Sequence, residues 1–243
     1  MTQAIKIFVP TDAAALAVGA DETALAITQE ASRRGANVQI VRNGSRGLLW
    51  LEPMVEIQTP KGRVAYGPVQ AEDVAALFEA GWLEGGKHPL CHGITEEIPY
   101  LAKQQRLTFA RVGITDPLSL GDYQSLGGFE GLKKALTLAP EAIVEEVTQS
   151  GLRGRGGAAF PTGIKWKTVL GTPAEQKYIV CNADEGDSGT FSDRMLMEGD
   201  PYVLIEGMTI AGLAVGANYG YIYVRSEYPQ AIAVLNSAIE NAR

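Results

Sequence analysis

Apolar residues recur with two different periods along the first part of the chain. Residues 4–9, AIKIFV, alternate at first and stop at Pro10, which predicts a β-strand followed by a turn. Residues 21–34 carry apolar side chains at helical spacing as far as Gly35, which predicts a helix. The remaining predicted elements are strands at 38–41, 54–59 and 63–66 and a helix at 70–80.

The order of these elements predicts a thioredoxin-like domain over residues 1–84. A strand-helix-strand unit, then an antiparallel hairpin, then a helix is the order of that fold, and the length is sufficient. Residues 85–139 begin with GGKHP and show little periodicity, so we predict an extended connector there.

A third part, residues 140–243, is predicted to be an α/β unit. Its helix 203–217 is so apolar that other elements must cover it on most sides. The other predicted elements are a helix at 140–150, a strand at 177–182, a strand at 221–224 and a helix from 229 to about 241. The whole chain is therefore assigned to the α/β class.

The segment 150–167, SGLRGRGGAAFPTGIKWK, is predicted to bind an anion. It contains five glycines and four basic residues and no acid. Glycine lets backbone N–H groups approach a ligand, and Arg and Lys donate charge-assisted hydrogen bonds to phosphate. The small and aromatic residues 158–160 offer a surface for a flat ring, which favours a nucleotide or flavin mononucleotide. A solvated basic turn is the alternative.

A second polar segment, NADEGDSG, follows the predicted strand 177–182. In open α/β sheets, ligands bind at the carboxyl ends of strands, and carboxylates or amides there can accept hydrogen bonds from ribose or ribityl hydroxyls. Each residue also has a structural alternative, because Asp184 and Glu185 could cap the next helix and Asn182 could close a turn. The two segments together are more specific than either alone.

The composition limits the classes of partner and location. With 21 basic and 28 acidic residues, the net charge of −7 gives no general attraction to nucleic acid. Two cysteines are too few for a disulfide framework, so we predict a reducing, cytoplasmic location. The N-terminus does not have the pattern of a signal peptide, and the longest apolar tract is shorter than the roughly twenty residues that span a bilayer. No membrane span is predicted.

The start of the connector carries three potential metal ligands. His88, Cys91 and His92 lie within five residues, but Pro89 interrupts the helix that would align them. A fourth ligand is not evident in the sequence. We therefore predict no metal site in this chain.

Three segments resemble the flavin- and NADH-binding subunit shared by respiratory complex I, NAD-reducing hydrogenases and NAD-dependent molybdenum formate dehydrogenases. They are residues 150–167, 181–194 and 204–228, and the resemblance covers residues 140–243. The sequence GDSGTF at 186–191 is more similar to the formate dehydrogenase beta subunit than to complex I. The resemblance implies a diaphorase subunit that passes electrons between NAD(H), FMN and iron–sulfur clusters.

The resemblance also implies which residues bind the cofactors. FMN is expected at the glycine-rich loop, with the acidic segment around its phosphate and ribityl portion, and NAD is expected to stack beside Phe160. No residue is given a general acid or base role, because the flavin carries the redox chemistry. The residues assigned to cofactor binding are Gly154, Arg155, Gly156, Gly157, Phe160, Lys165, Asn182, Asp184, Glu185 and Asp187.

The N-terminal domain also resembles that of the formate dehydrogenase group, whose beta subunit carries a thioredoxin-like ferredoxin module. Here Pro10, Ala15 and the residues near Leu49 and Trp50 stand where the cysteines of that module would coordinate a [2Fe–2S] cluster. Without thiolates, no cluster is expected in residues 1–84. The family continues beyond the matched part, so 140–243 is expected to be only the first portion of a Rossmann-like FMN/NAD-binding domain. Weak or absent flavin binding is expected of these 243 residues in isolation.

The implied partners are the other subunits of such a complex. They are a small [2Fe–2S] gamma-type subunit and a molybdenum-containing alpha-type subunit, and a [4Fe–4S] cluster is expected only in the missing C-terminal part or in these partners. Two alternatives stay open: the flavoprotein subunit of an NAD-reducing hydrogenase or complex I, and a non-catalytic docking or assembly subunit.

Overall fold

The computed structural model describes residues 3–155 and 157–243. Within them, the strands are β1 Ile5–Pro10, β2 Val38–Asn43, β3 Val55–Thr59, β4 Gly62–Tyr66, β5 Cys91–Ile94, β6 Tyr178–Ala183 and β7 Tyr219–Val224. The helices are α1 Ala13–Leu16, α2 Ala20–Arg34, α3 Val74–Glu79, α4 Pro99–Ala102, α5 Leu120–Ser125, α6 Glu130–Ala135, α7 Pro140–Gln149, α8 Thr162–Gly171, α9 Ser192–Gly199, α10 Pro201–Val215 and α11 Pro229–Asn241. The α/β class is confirmed.

The N-terminal sheet has the strand order β2-β1-β3-β4-β5. Strands β1 and β2 are parallel, with Ile7 opposite Ile40, while β3, β4 and β5 join by antiparallel pairing. The order β2-β1-β3-β4 is the one expected of a thioredoxin-like domain. Helix α2 packs on this sheet and ends at Gly35, whose φ of 65° is readily adopted by glycine. Buried side chains of this core include Ile7, Ile27, Ile57, Leu77 and Trp82.

The segment predicted as an extended connector is folded, which corrects that expectation. Strand β5 extends the N-terminal sheet, and α4, α5 and α6 follow it. These helices have only four to six residues, so they are too short to show a helical period in the sequence. Val112 and Tyr123 from this segment are buried. The boundaries at 84 and 139 stay a prediction.

The cysteine and histidines near the start of this segment have contacts other than a metal. Cys91 lies in β5 opposite Tyr66, and His92 Nε2 lies 2.9 Å from the carbonyl oxygen of Gly67. His88 Nδ1 accepts a hydrogen bond from the backbone of Leu90. Residues 3–155 and 157–243 contain no group of three or more His, Cys, Asp or Glu side chains placed to hold a metal ion.

The C-terminal unit is built on the two parallel strands β6 and β7. Ile179 and Ile222 on one face of this sheet pack into apolar clusters with residues of α10 and α11. The other face is exposed and carries Tyr178, Val180, Tyr219, Tyr221 and Tyr223. In the described part of the chain, no helix combines the length and the apolar character that crossing a membrane requires.

Close contacts join the N-terminal sheet to the C-terminal unit. Glu198 Oε2, near the end of α9, accepts a hydrogen bond of 2.9 Å from the backbone N–H of Ala13. A Cβ atom on Gly44 would lie 2.9 Å from the Cα atom of Gly199, so the two backbones touch. The guanidinium of Arg111 donates a hydrogen bond of 2.8 Å to Asp200. The end of α9 is therefore fixed against the N-terminal part.

Candidate functional site

The loop between α7 and α8 folds back on itself as a short hairpin. The backbone N–H of Gly154 donates to the carbonyl of Phe160, and that of Thr162 donates to the carbonyl of Leu152, both at 2.9 Å. An antiparallel bridge pairs Arg153 with the residue before Thr162. These bonds close the base of the hairpin, and Arg155 and residues 157–159 at its tip are exposed.

The hairpin tip needs backbone conformations that favour glycine. Gly157 has a φ of 89° and nothing lies within 4 Å of the place where its Cβ would be. Ala159 has a φ of 48°, which is strained for a residue with a side chain. Gly156 lies outside the described residues, so its predicted role remains a prediction.

Helix α8 begins where the hairpin ends, and its first turn has no side-chain cap. The N–H groups of an uncapped first turn carry partial positive charge and favour an anion. Lys165 lies in this turn, and Arg155 lies at the hairpin tip. Both side chains are exposed, and neither makes a hydrogen bond or ion pair with a described residue.

The placement of α8 depends on one glycine contact. A Cβ atom on Gly163 would lie 2.2 Å from Thr148 Oγ1 and 2.7 Å from Thr148 Cα, so only glycine allows α8 to approach α7 this closely. Phe160, just before the helix, is 48% exposed. The hairpin therefore presents basic, backbone and aromatic groups on one surface.

The acidic segment after β6 forms turns. Asn182 Oδ1 accepts a hydrogen bond of 3.3 Å from the backbone of Asp184, which is the turn closure that the sequence left open. The carbonyl of Asp187 accepts from the backbone of Thr190 at 3.1 Å. The side chains of Asn182 and Asp187 are exposed.

Glu185 caps α9. Its carboxylate accepts hydrogen bonds from the backbone N–H groups of Asp193 at 2.8 Å and Arg194 at 2.9 Å. The hydroxyls of Ser192 and Tyr228 donate to it at 3.3 Å. Its φ of 44° is unusual for a residue with a side chain. The structure thus gives Glu185 the capping role that was one of its two sequence interpretations, and its contact with a cofactor stays a prediction.

Sequence reasoning missed the groups at the end of β7 that hold this turn. Arg225 donates to the carbonyl of Glu185 at 3.0 Å, and its guanidinium carbon lies 5.3 Å from the centre of the Tyr228 ring. Hydrogen bonding from Arg225 lowers the pKa of Glu227 to about 2. Burial raises the pKa of Tyr228, and the Glu185 carboxylate adds to this shift. Parallel neighbouring strands end at the same edge, and that signal could have found these residues.

The end of α8 lies close to the start of β6. Lys177 Nζ, just before β6, donates to the carbonyl of Leu170 near the end of α8 at 3.0 Å. Trp166, Leu170 and Ile179 pack against the same apolar cluster. No hydrogen bond among the described residues joins the two segments.

The structure has cavities, but they lie elsewhere. One of about 810 Å³ lies among α10, β7 and α11 and is lined by residues such as Met208 and Ile232. A second, of about 350 Å³, is lined by residues such as Arg46 and Arg106. Neither is lined by a residue predicted to bind a cofactor. Among the described residues predicted to bind a cofactor, six are exposed, and Gly154, Asp184 and Glu185 are half-buried.

Residues 147–243 match the family model described as the Nuo51 FMN-binding domain. This segment contains all ten residues predicted to bind a cofactor. The match confirms the predicted resemblance of this segment to the flavin- and NADH-binding subunits of the diaphorase type. The description of this family model names FMN, which is the flavin cofactor predicted from the sequence.

The relatives are subunits of larger complexes. The NADP-reducing hydrogenase subunit HndC of Solidesulfovibrio fructosivorans is 55% identical over 141 residues, which are 58% of this chain and 29% of that protein. An NADH-quinone oxidoreductase subunit of Aquifex aeolicus is 50% identical over 51% of this chain and 29% of its own length. The NAD-reducing hydrogenase HoxS subunit alpha of Cupriavidus necator is 48% identical over 40% of this chain and 16% of its own. The chain spans less than a third of each.

Proposed function

We propose that this chain is part of an FMN- and NAD(H)-binding electron-transfer subunit of the diaphorase type. The observation that carries the proposal is the hairpin tip inside the family-matched segment. There, Lys165 lies in the uncapped first turn of α8 and Arg155 lies in the hairpin that leads into this helix, and neither has a partner among the described residues. Available cations and uncapped helix N–H groups are the chemistry that holds a phosphate.

The chain's own residues would bind and orient the cofactors. Gly157 would offer a backbone donor to the FMN phosphate, and Arg155 and Lys165 would offer side-chain donors. Gly154 would shape the loop, because its own N–H closes the hairpin by donating to Phe160. Asn182 and Asp184 would accept hydrogen bonds from its ribityl hydroxyls, on a turn that Glu185 fixes by capping α9. Phe160 would stack with the nicotinamide nucleotide, with Asp187 nearby. The flavin, when bound, supplies the hydride and one-electron chemistry.

The flavin content of the native assembly tests this proposal. Assemblies containing the wild-type chain should show flavin absorbance at about 450 nm. Replacing Arg155 or Lys165 by Ala removes a charge-assisted hydrogen bond to phosphate, so each variant should bind FMN about 10- to 100-fold more weakly. The released flavin, measured by fluorescence during titration, reports the affinity.

Lys167→Ala is the matched control, because Lys167 is also exposed on α8 but is not assigned to the cofactor. It should leave FMN affinity unchanged. An equal loss of FMN affinity in the Lys167→Ala variant would mean that the effect comes from the overall positive charge and not from direct contacts of Arg155 and Lys165 with the phosphate. Absence of flavin from the wild-type assembly would favour a non-catalytic docking or assembly subunit instead.

We further propose that the complex is an NAD-dependent formate dehydrogenase of the molybdenum type. The sequence GDSGTF at 186–191 supports this beta-type assignment. The partners would then be a molybdenum-containing alpha-type and a [2Fe–2S] gamma-type subunit, in the cytoplasm. Metal analysis of the assembly should find molybdenum, together with formate-dependent reduction of NAD⁺.

The second candidate is the flavoprotein subunit of an NAD(P)-reducing hydrogenase. The 55% identity to HndC favours it. Nickel or hydrogen-dependent reduction in the assembly, without molybdenum, would support the hydrogenase and reject formate as the donor. Both outcomes leave the diaphorase proposal intact.

A further inference from the structure

Unpartnered buried polar atoms concentrate at the junction between the N-terminal sheet and α9. In residues 3–155 and 157–243, five buried side-chain N or O atoms lack a hydrogen-bond partner, and four of them lie here. They are Asp12 Oδ2, Asn43 Oδ1, Arg194 Nε and Glu198 Oε1. Buried polar atoms are nearly always hydrogen-bonded, so such a cluster requires an explanation.

The backbone brings these groups together. Asp12 follows β1, and its neighbour Thr11 donates a backbone hydrogen bond of 2.8 Å to the carbonyl of Asn43. The next residue, Ala13, donates its N–H to Glu198 Oε2 at 2.9 Å. Asp12 is 2% exposed and Glu198 is 1% exposed. Two buried carboxyl groups thus lie on opposite sides of one contact between the two parts of the chain.

Each of these carboxyl groups has one oxygen in use and one unused. Asp12 Oδ1 caps α1 by accepting from the backbone N–H groups of Ala14 and Ala15. Glu198 Oε2 accepts from Ala13. The unused oxygens, Asp12 Oδ2 and Glu198 Oε1, are acceptors if both groups are ionised. A single proton would turn one of them into a donor.

The charges that face the junction are not balanced. On the α9 side, Arg194 interacts with both carboxyl groups, and its guanidinium carbon lies 5.7 Å from the Tyr228 ring centre. On the N-terminal side, Glu52 accepts hydrogen bonds from Ser45 and Met54 and interacts with Asp12. One arginine therefore faces Asp12 and Glu198, and Glu52 adds a third carboxyl group beside Asp12.

The acidities agree with this geometry. Burial raises the pKa of Glu198 to about 7, and the Asp12 charge acts in the same direction against the Ala13 N–H and Arg194. Burial likewise raises the pKa of Asp12. Burial and then the Asp12 charge raise the pKa of Glu52 to about 7. A metal ion is the other way to balance such charges, but no described group of three acidic, His or Cys side chains could hold one.

We propose that Asp12 and Glu198 share one proton across this junction, and that its loss to solvent as the pH rises loosens the contact between the N-terminal sheet and α9. In the protonated state, one of the two carboxyl groups is neutral, so the buried pair carries a single negative charge facing Arg194. Release of the proton breaks this O–H bond and leaves two buried carboxylates that repel each other. The inference needs only the described contacts and does not rest on the proposed function.

Helix α9 connects this junction to the acidic turn. Glu185 caps its first turn, and Glu198 lies at its other end. A helix of eight residues is short and rigid, so movement at the junction reaches the turn that carries Asp184 and Glu185. The pH of the solution would thus act on a predicted cofactor turn from the far end of the helix.

The test compares unfolding of wild type and Glu198→Gln in denaturant at about pH 5 and about pH 8. A folded-state pKa above the ordinary 4.5 means that the proton favours the folded state. The stability it contributes is therefore full below about pH 4.5 and is lost as the pH rises through about 7. The wild-type unfolding constant should rise on the order of 10- to 100-fold between the two conditions.

Gln has the shape of protonated Glu, and its amide can keep the acceptor for Ala13 while its NH₂ replaces the shared proton. We expect Glu198→Gln to lose most of this rise and to be more stable than wild type at about pH 8. Asp12→Asn, which retains helix capping, should behave in the same way and serves as a second variant if the first folds poorly.

Glu206→Gln is the matched control. Glu206 is also buried on a C-terminal helix, but its carboxylate accepts hydrogen bonds from Tyr123, Phe129 and Leu132. Both of its oxygens therefore already have a donor. This variant should be less stable than wild type at about pH 8, because its NH₂ would face a donor. Two results would overturn the proposal: Glu198→Gln less stable than wild type at that pH, or stabilisation of wild type by millimolar magnesium that the variant does not show.

Discussion

Removing the carboxylate of Glu185 should destabilise the start of α9. In Glu185→Ala, the backbone N–H groups of Asp193 and Arg194 lose acceptors at 2.8 and 2.9 Å, and the Tyr228 hydroxyl loses one at 3.3 Å. Loss of an N-cap costs about 0.5–2 kcal/mol, and a hydrogen bond to a charged group contributes about 1.5–3 kcal/mol. Because the site is partly exposed and water can replace the acceptor, we expect a loss of about 2 kcal/mol.

The backbone at this position provides an internal check. Glu185 has a φ of 44°, and alanine would keep that strain while glycine would relieve it. Glu185→Gly should therefore lose the same cap but be about 1 kcal/mol more stable than Glu185→Ala. Asp187→Ala is the matched control, because its exposed side chain makes no hydrogen bond with a described residue. It should change stability by less than about 0.5 kcal/mol.

Urea unfolding gives the free energies, and hydrogen exchange gives the location of the loss. The amides of Asp193 and Arg194 should exchange faster in Glu185→Ala, because they are the donors that the carboxylate protects. The capping assignment is refuted if the variant unfolds within about 0.5 kcal/mol of wild type and these two amides exchange at the wild-type rate.

Two further substitutions test the packing that positions the site and the N-terminal sheet. Gly163→Ala should cost about 1–3 kcal/mol, because its Cβ would lie 2.2 Å from Thr148 Oγ1 and α8 would have to move; an unchanged midpoint of thermal unfolding would contradict this. Arg46→Met should lower the free energy of unfolding in denaturant by about 3–5 kcal/mol. The substitution removes the donors of two hydrogen bonds of 2.9 Å to the carboxylate of Glu56, which is fully buried. Adding Glu56→Gln should recover much of that loss, and a double variant no more stable than the single one would contradict the role of the ion pair.

Long helices were predictable from the sequence because their apolar positions repeat over several turns. The last helix, predicted from 229 to about 241, is observed as Pro229–Asn241, and the first long helix, predicted at 21–34, is observed as Ala20–Arg34. The helices within segment 85–139 were not predicted, because helices of four to six residues complete fewer than two turns and leave no repeating apolar pattern. Long-range contacts, such as that of Arg111 with Asp200, hold this segment in place.

The candidate site was predictable as a set of chemical groups. Glycine and basic residues in 150–167 and acids in 182–187 are local features of the sequence, and the family match covers both. The contacts of the Glu185 carboxylate were harder to predict from the sequence, because one of its hydrogen-bond donors, Tyr228, is 43 residues away in the chain. The support from Arg225 likewise exists only because β6 and β7 are parallel neighbours.

The sequence by itself determined the α/β class, the long helices and the family resemblance of the C-terminal segment, because short-range periodicity and local motifs carry that information. Tertiary structure alone decided that the connector is folded, that Glu185 is a helix cap, and that Asp12 meets Glu198. These features depend on which distant residues exclude water from a charged group, and burial of that kind is a property of packing in three dimensions.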